Sequence, residues 1–335
     1  MKVYKFGGTS VGSPERFRAL IPLINDGKLK IVVLSAMAGT TNALVEISGL
    51  LGSGDKSGAE RMTGQLRSKY HAVVSDLFTS EEWSKRAHDL TDEHFDFISS
   101  LISGEPARGT DKMIVARGEL ISTALLHFFL SEKGIPSLLI PALNFMRVDK
   151  DGEPDYFYIS ENLKRELSAV RDEKIIITQG FICRNVFGET DNLRRGGSDY
   201  SATIIGAAIA AEEVQIWTDI SGLHNNDPRY VENTRVIRNL SFSEAAELAF
   251  FGAKILHPSS INPARMKNIP VRLKNTMEPA DDGTLITSET TLEDYTAVAA
   301  KDGITSIRIH SDRMLMAYGF MRRIFEVFEA FRTPI

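Results

Sequence analysis

The sequence predicts an α/β fold, a three-layer αβα sandwich around a mostly parallel central sheet, on three observations. Short β-rich runs alternate with longer helical patterns along most of the chain. Several of those runs are unbroken Val/Ile/Leu, as suits strands covered on both faces. Polar and glycine-rich turns recur at strand ends, which is where an open parallel sheet binds its ligands.

Strands are expected at 2–6 (KVYKF), 30–35, 136–141, 174–179, 214–219 and 270–275. Helical patterns lie between them at 14–25, 58–77, 110–133, 159–169, 199–212, 243–250 and 258–267. Ser13-Pro14-Glu15 reads as a helix start, with serine capping, proline at the first helical position and an acid in the first turn. The stretch GLLGSGDKSGAE (49–60) reads as a mobile loop. Beyond 300 the pattern changes. ITSIRIHS (304–311) is strand-like, and Phe320, Ile324, Val327, Phe328 and Phe331 then recur at helical spacing. One strand and one helix cannot bury that stripe. A main domain over 1–295 and the first strand and helix of a second over 300–335 are therefore expected, with self-association or disorder at 320–331.

The 335 residues are 43% hydrophobic and 25% charged, ordinary for a globular protein. A net charge of −5 gives no general pull toward nucleic acid or anionic membrane, so neither is expected as a partner. With a single cysteine, Cys183, no intramolecular disulfide forms, which fits a reducing compartment, and that thiol reads as a small buried hydrophobe. No charged and apolar leader precedes the first strand, and apolar runs such as 203–211 fall short of the ~20 residues that cross a bilayer. A cytoplasmic location is expected.

Five stretches carry the candidate chemistry. KFGGTSV (5–11) sets Lys5 before Gly7, Gly8 and Thr9 at a strand end, a frame for phosphate or an ordinary βα turn with a solvated lysine. VVLSAMAGTTN (32–42) sets Ser35, Gly39, Thr40 and Thr41 after a strand. In RRGGSDYSA (194–202), Ser198 or Asp199 is placed to cap a helix, freeing the glycine amides to face an anion. WTDISGLHNNDPR (217–229) runs from Thr218-Asp219 into a turn-rich loop that closes on Arg229. FGAKILHP (251–258) sets Lys254 after a Gly-Ala pair, with His257 structural at a helix entrance. The sequence has no GxxxxGK[ST], no GxGxxG after a strand, no CxxC and no HExxH, so it carries no P-loop, dinucleotide or zinc signature.

Together with RGE (117–119), these motifs closely resemble the aspartate kinases of the amino acid kinase superfamily, in the family's order from residue 2 to about 290. ITSIRIHSDRMLMAYGF (304–320) is similar to the opening of that family's first ACT domain. The resemblance implies a carbamate kinase-like fold and phosphorylation of the L-aspartate side-chain carboxylate by ATP with Mg²⁺. It implies catalysis by Lys5 and Asp199. It implies aspartate binding through Ser35, Thr41, Glu119, Arg195, Gly196 and Ser198. It further implies ATP binding through Lys5, Gly7, Gly8, Thr9, Thr218, Asp219, His224, Arg229 and Lys254, with the metal held mainly by the ATP phosphates. A homo-oligomer is implied for the complete enzyme, and amino acid feedback of the kind that complete ACT domains give is not expected from this span.

The chain departs from the family at TDNLRRGGSD, with Arg194 for a glycine and Asp191-Asn192 for threonines, and at His224-Asn225-Asn226 in the ATP loop. Two alternatives stay open on the sequence: a kinase for glutamate, acetylglutamate or a nucleotide, and a ligand sensor on a kinase fold without catalysis.

Overall fold

In the computed structural model, β1 (Lys2–Phe6) leads through a 3₁₀ turn at Gly8–Val11 to α1 (Pro14–Ile24) and β2 (Lys30–Leu34). There follow α2 (Thr40–Gly52), α3 (Lys56–Leu77), α4 (Glu81–Ser103), α5 (Thr110–Val115) and α6 (Arg117–Glu132). Next come β3 (Ser137–Leu139), α7 (Tyr156–Leu167), β4 (Ile175–Gln179), the hairpin β5 (Ile182–Arg184) and β6 (Thr190–Asn192), α8 (Gly197–Ala208) and β7 (Val214–Thr218). After these lie β8 (Asn239–Ser241), α9 (Phe242–Phe251), α10 (Asn262–Met266), β9 (Val271–Asn275), β10 (Thr284–Thr287) and α11 (Phe320–Ala330). The structure describes residues 1–105, 107–193, 196–251, 256–289, 297–300, 303–311 and 318–333. It divides into a unit at Met1–Ala299 and a unit at Ala300–Ile335.

The main sheet has eight strands in the order β3-β4-β2-β1-β7-β9-β10-β8. It is parallel from β3 to β9, and β10 turns antiparallel against β9. Chain order reverses at β1, whose neighbours are β2 on one side and β7 on the other, so the crest above β1 is the natural ligand crevice. Alternation along β1 puts Tyr4 and Phe6 into the core shared with α1–α4 and α6, and Val3 into the core under α7 and α8. Both faces are covered, which is why β2 and β4 read as continuous apolar runs.

Local chemistry sets the boundaries. Ser13 accepts the Arg16 N–H at the start of α1, as its sequence promised. Ser241 and Glu244 form a reciprocal capping box at α9: Ser241 Oγ accepts the Glu244 N–H at 3.1 Å, and the Glu244 carboxylate accepts the Ser241 N–H at 2.7 Å.

Several expectations fail for physical reasons. The 49–60 stretch is not a loop: α2 runs to Gly52, Asp55 caps α3 through the Gly58 N–H at 2.8 Å, and only Ser53–Asp55 turn between them. The helix expected over 110–133 is divided at Ala116 into α5 and α6. Thr110–Glu132 is long and apolar enough by composition to cross a membrane, yet it is mostly buried within the fold as core. Residues 304–311 carry no strand assignment and are exposed, so their alternation finds no partner strand among the described residues. The helix over the aromatic stripe does form, as α11, with none of its residues buried.

Candidate active site

Lys5 sits on β1 in register with Val33 of β2 and Ile216 of β7, at the sheet's centre. It shares the face of Val3 and points toward α8. There its Nζ lies 2.7 Å from Asp199 Oδ1, in the first turn of that helix. Neither Ser198 nor Asp199 caps α8. The cap position is Gly196, in the left-handed conformation at φ 67°, with no side-chain cap. Ser198 is instead packed against Gly180, where a Cβ would stand 2.3 Å from the Ser198 Cβ, so only glycine lets β4's outgoing turn pass under α8.

The turn after β1 explains the paired glycines differently from a simple phosphate cradle. The Gly7 N–H is spent on the Trp217 carbonyl at 3.1 Å, which ties the turn to β7. Gly8 is required by close approach: a Cβ there would lie 2.9 Å from the Ala36 carbonyl oxygen, and its own carbonyl accepts the Ala38 N–H at 3.1 Å. The turns after β1 and β2 are thus zipped together, with exposed Thr9 and partly exposed Ser35 at the crest.

Glu119 enters from the opposite helical layer, in the first turn of α6. It is 3% exposed, its carboxylate accepts the Ala36 N–H, and its Oε2 has no hydrogen-bond partner. Burial pushes its pKa up to about 7, against the opposing pull of that N–H and of the Lys5 charge. Ser122 Oγ donates to the Ser35 carbonyl at 2.8 Å and so ties α6 to the end of β2. Thr41 follows the buried Thr40 in the first turn of α2, beside the same loop. Lys5 on β1 is thereby joined by Gly7, Gly8, Ser35, Thr41, Glu119, Gly196, Ser198 and Asp199, borne by turns and helix starts.

Thr218, Asp219, His224 and Arg229 lie at the end of β7 and in the loop after it. Thr218 ends β7, its Oγ1 donating to Asp219 at 3.1 Å, and its carbonyl accepts the Thr276 N–H at 2.8 Å. His224 does not present a free ring: its Nδ1 is 2.8 Å from Thr234 Oγ1, closing the loop between them. Arg229 is exposed and bound to Asp227 through both carboxylate oxygens. Arg194, Arg195 and Lys254 lie outside the described residues. His257 serves structure, its Nδ1 accepting the Ser259 N–H at 3.2 Å, and burial lifts the Cys183 thiol to about 12, an unreactive value. Among the described residues no three or more His, Cys, Asp or Glu side chains gather as a metal ligand set.

Residues 1–275 match the amino acid kinase family. The chain belongs to that family. Within it the chain stands with the aspartokinases: it is 34% identical over 334 residues to the lysine-sensitive aspartokinase 3 of Escherichia coli, covering 97% of this chain and 73% of that one. It is 33% identical to the chloroplastic aspartokinase 3 of Arabidopsis thaliana, covering 98% of this chain and 60% of the relative. Among solved structures, E. coli aspartokinase III in complex with aspartate and ADP superposes with a TM-score of 0.83 at 31% identity, covering 100% of this chain and 75% of that one. The chain thus spans three quarters or less of the relatives named.

Proposed function

We propose that this chain transfers the γ-phosphoryl group of ATP to the side-chain carboxylate of L-aspartate at the crest above β1. The observation that carries this reading is the 2.7 Å Lys5–Asp199 pair, with the Lys5 charge also acting on the buried, half-unpartnered Glu119. The relative solved with aspartate and ADP supports the choice of ligands.

A carboxylate nucleophile with a pKa near ~4 is already ionised at neutral pH, so no general base is needed. The problem is repulsion between two anions. Lys5 neutralises the oxygens of the moving phosphoryl group, and Asp199 holds the ammonium in place so that it need not reorganise during transfer. Glu119 receives the substrate's α-ammonium, which supplies the missing partner for Oε2 and the charge that burial withholds. Thr41 and Ser198 offer hydroxyls to the amino acid, and Arg195 a fork to its α-carboxylate. Thr218, Asp219, His224, Arg229 and Lys254 serve the nucleotide. Mg²⁺ supplies further charge neutralisation when bound. The cation would be carried mainly on the ATP phosphates. In the smaller unit, 300–335 is the opening of a regulatory domain.

A hydroxylamine trap tests the reading. Hydroxamate formed from ATP, Mg²⁺ and aspartate, but not from glutamate or by Lys5→Ala, is the expected result. Product from glutamate instead would move the chain to another acceptor, and no product from either would overturn the reading.

A further inference from the structure

Behind the proposed aspartate site, α3 lays two consecutive side chains against the turn that carries Thr41. Lys69 Nζ donates to the Ala38 carbonyl at 2.8 Å. Tyr70, wholly buried, shares a 3.0 Å hydrogen bond with Thr40 Oγ1. The same turn is gripped from its other side by the Ala38 N–H bond to the Gly8 carbonyl, and it closes on itself through the Thr40 N–H to the Met37 carbonyl at 3.0 Å.

The tyrosine hydroxyl needs an explanation that packing does not give. Its ring stacks at a tilt on Phe95 of α4, with centroids 5.6 Å apart, and a phenylalanine would fill that space equally well. Bringing a hydroxyl into a dry interior costs free energy unless it is bonded, and Thr40 is its hydrogen-bond partner. Burial, and after it the Glu119 charge, push the hydroxyl's pKa up, so it stays protonated throughout the neutral range. Glu119 in turn takes the Ala36 N–H from the start of the same turn.

We propose that Tyr70 and Lys69 are positioning residues for the amino acid substrate, fixing the 36–41 turn so that Thr41 and Glu119 meet the substrate at one depth. This rests on the aspartate site proposed above. Neither residue touches the reacting atoms. Tyr70 acts through Thr40, whose rotamer sets the first turn of α2, and Lys69 acts through the Ala38 carbonyl. The hydrogen bonds of both residues go to the 36–41 turn, whereas Thr218, Asp219, His224 and Arg229 lie on β7 and the loop after it.

Steady-state hydroxamate kinetics on the full chain test this. Tyr70→Phe should raise the KM for aspartate about 5-fold, the worth of one neutral hydrogen bond, with kcat within about twofold of wild type and the KM for ATP unchanged. Thr40→Val should reproduce that effect, Thr40→Ser should retain the wild-type KM, and the double variant Tyr70→Phe/Thr40→Val should be no worse than either single one. An unchanged aspartate KM in Tyr70→Phe, with only a lower Tm, would reduce the residue to core packing and overturn the proposal. A parallel rise in both KM values would overturn it equally, as general loosening. A wild-type chain that is inactive on aspartate would overturn the underlying reading and this one with it, whereas an active wild type with an indifferent Tyr70→Phe would overturn this one alone.

Discussion

Lys5 and Asp199 are 194 positions apart by their numbers, yet the Lys5 ammonium and the Asp199 carboxylate meet at 2.7 Å, with their side chains 11% and 17% exposed. A pair so nearly desolvated gains little net stability, and its worth lies in holding one charge where it is needed. Lys5→Ala should lower kcat about 10³-fold, as loss of a transition-state charge partner does. Asp199→Asn should keep the lysine but release its position, costing less in kcat than Lys5→Ala. Both variants leave a buried charge alone, so a thermal melt belongs beside the kinetics. Lost activity with an unmoved Tm would locate the effect in the chemistry.

Glu119 gives the site a pH dependence. Burial lifts its carboxyl to about 7, and in the role proposed for it only the ionised form takes the substrate ammonium. kcat/KM for aspartate should therefore fall about tenfold per pH unit below that point and flatten above it. The stability effect has its own sign. Between the ordinary value of 4.5 and about 7 the folded protein holds a proton that the unfolded chain has lost, so the ligand-free protein becomes less stable as pH rises through that window. Glu119→Gln should abolish that slope while raising the KM for aspartate about 10- to 100-fold, the cost of one charge-assisted hydrogen bond. Melting curves across the window, with and without aspartate, check both.

Gly180→Ala should damage the site from beneath. The added Cβ would stand 2.3 Å from the Ser198 Cβ, so α8's first turn, with Asp199 in it, must shift. Overpacking of this kind costs about 1–3 kcal/mol. A Tm lowered by a few degrees, together with a kcat loss like that of Asp199→Asn, is the expected pair of results. A normal kcat would show that the turn yields elsewhere.

The sheet was legible because its strands announce themselves: KIVVL and KIIITQ are unbroken apolar runs, and β1, β2, β4, β7 and β9 fall within a residue of where the pattern sets them. The hairpin β5–β6 and the strands β8 and β10 were not, being three or four residues long and set by their neighbours. The helices α2 and α4 escaped for different reasons. In α2 the glycines at its end look like a loop, and α4 is largely polar, its buried face reduced to Ala87, Thr91, Phe95, Ile98 and Ile102. At the site, Lys5 and Glu119 stand in motifs the eye can find. Tyr70 does not, because in the series Leu66, Tyr70, Val73, Val74 and Leu77 it reads as core filler. Nothing local says that its hydroxyl meets Thr40, since that contact exists only once α3 packs on α2.

The loop proposed for the nucleotide supports a prediction about shape rather than stacking. His224 Nδ1 lies 2.8 Å from Thr234 Oγ1, the Asn225 N–H reaches the Arg235 carbonyl at 3.0 Å, and Asn225 Oδ1 accepts the Arg235 N–H at 2.8 Å. His224 and Asn225 thus draw 224–236 into a closed loop. His224→Ala and Thr234→Val should then raise the KM for ATP by similar amounts, about 5-fold for one lost hydrogen bond, with the KM for aspartate unmoved. His224→Phe separates the two roles: it keeps a flat ring able to stack on a base but cannot bond Thr234. A KM for ATP as poor as that of His224→Ala would establish closure as the histidine's contribution. Recovery of the wild-type KM by phenylalanine would show that the ring itself meets the nucleotide.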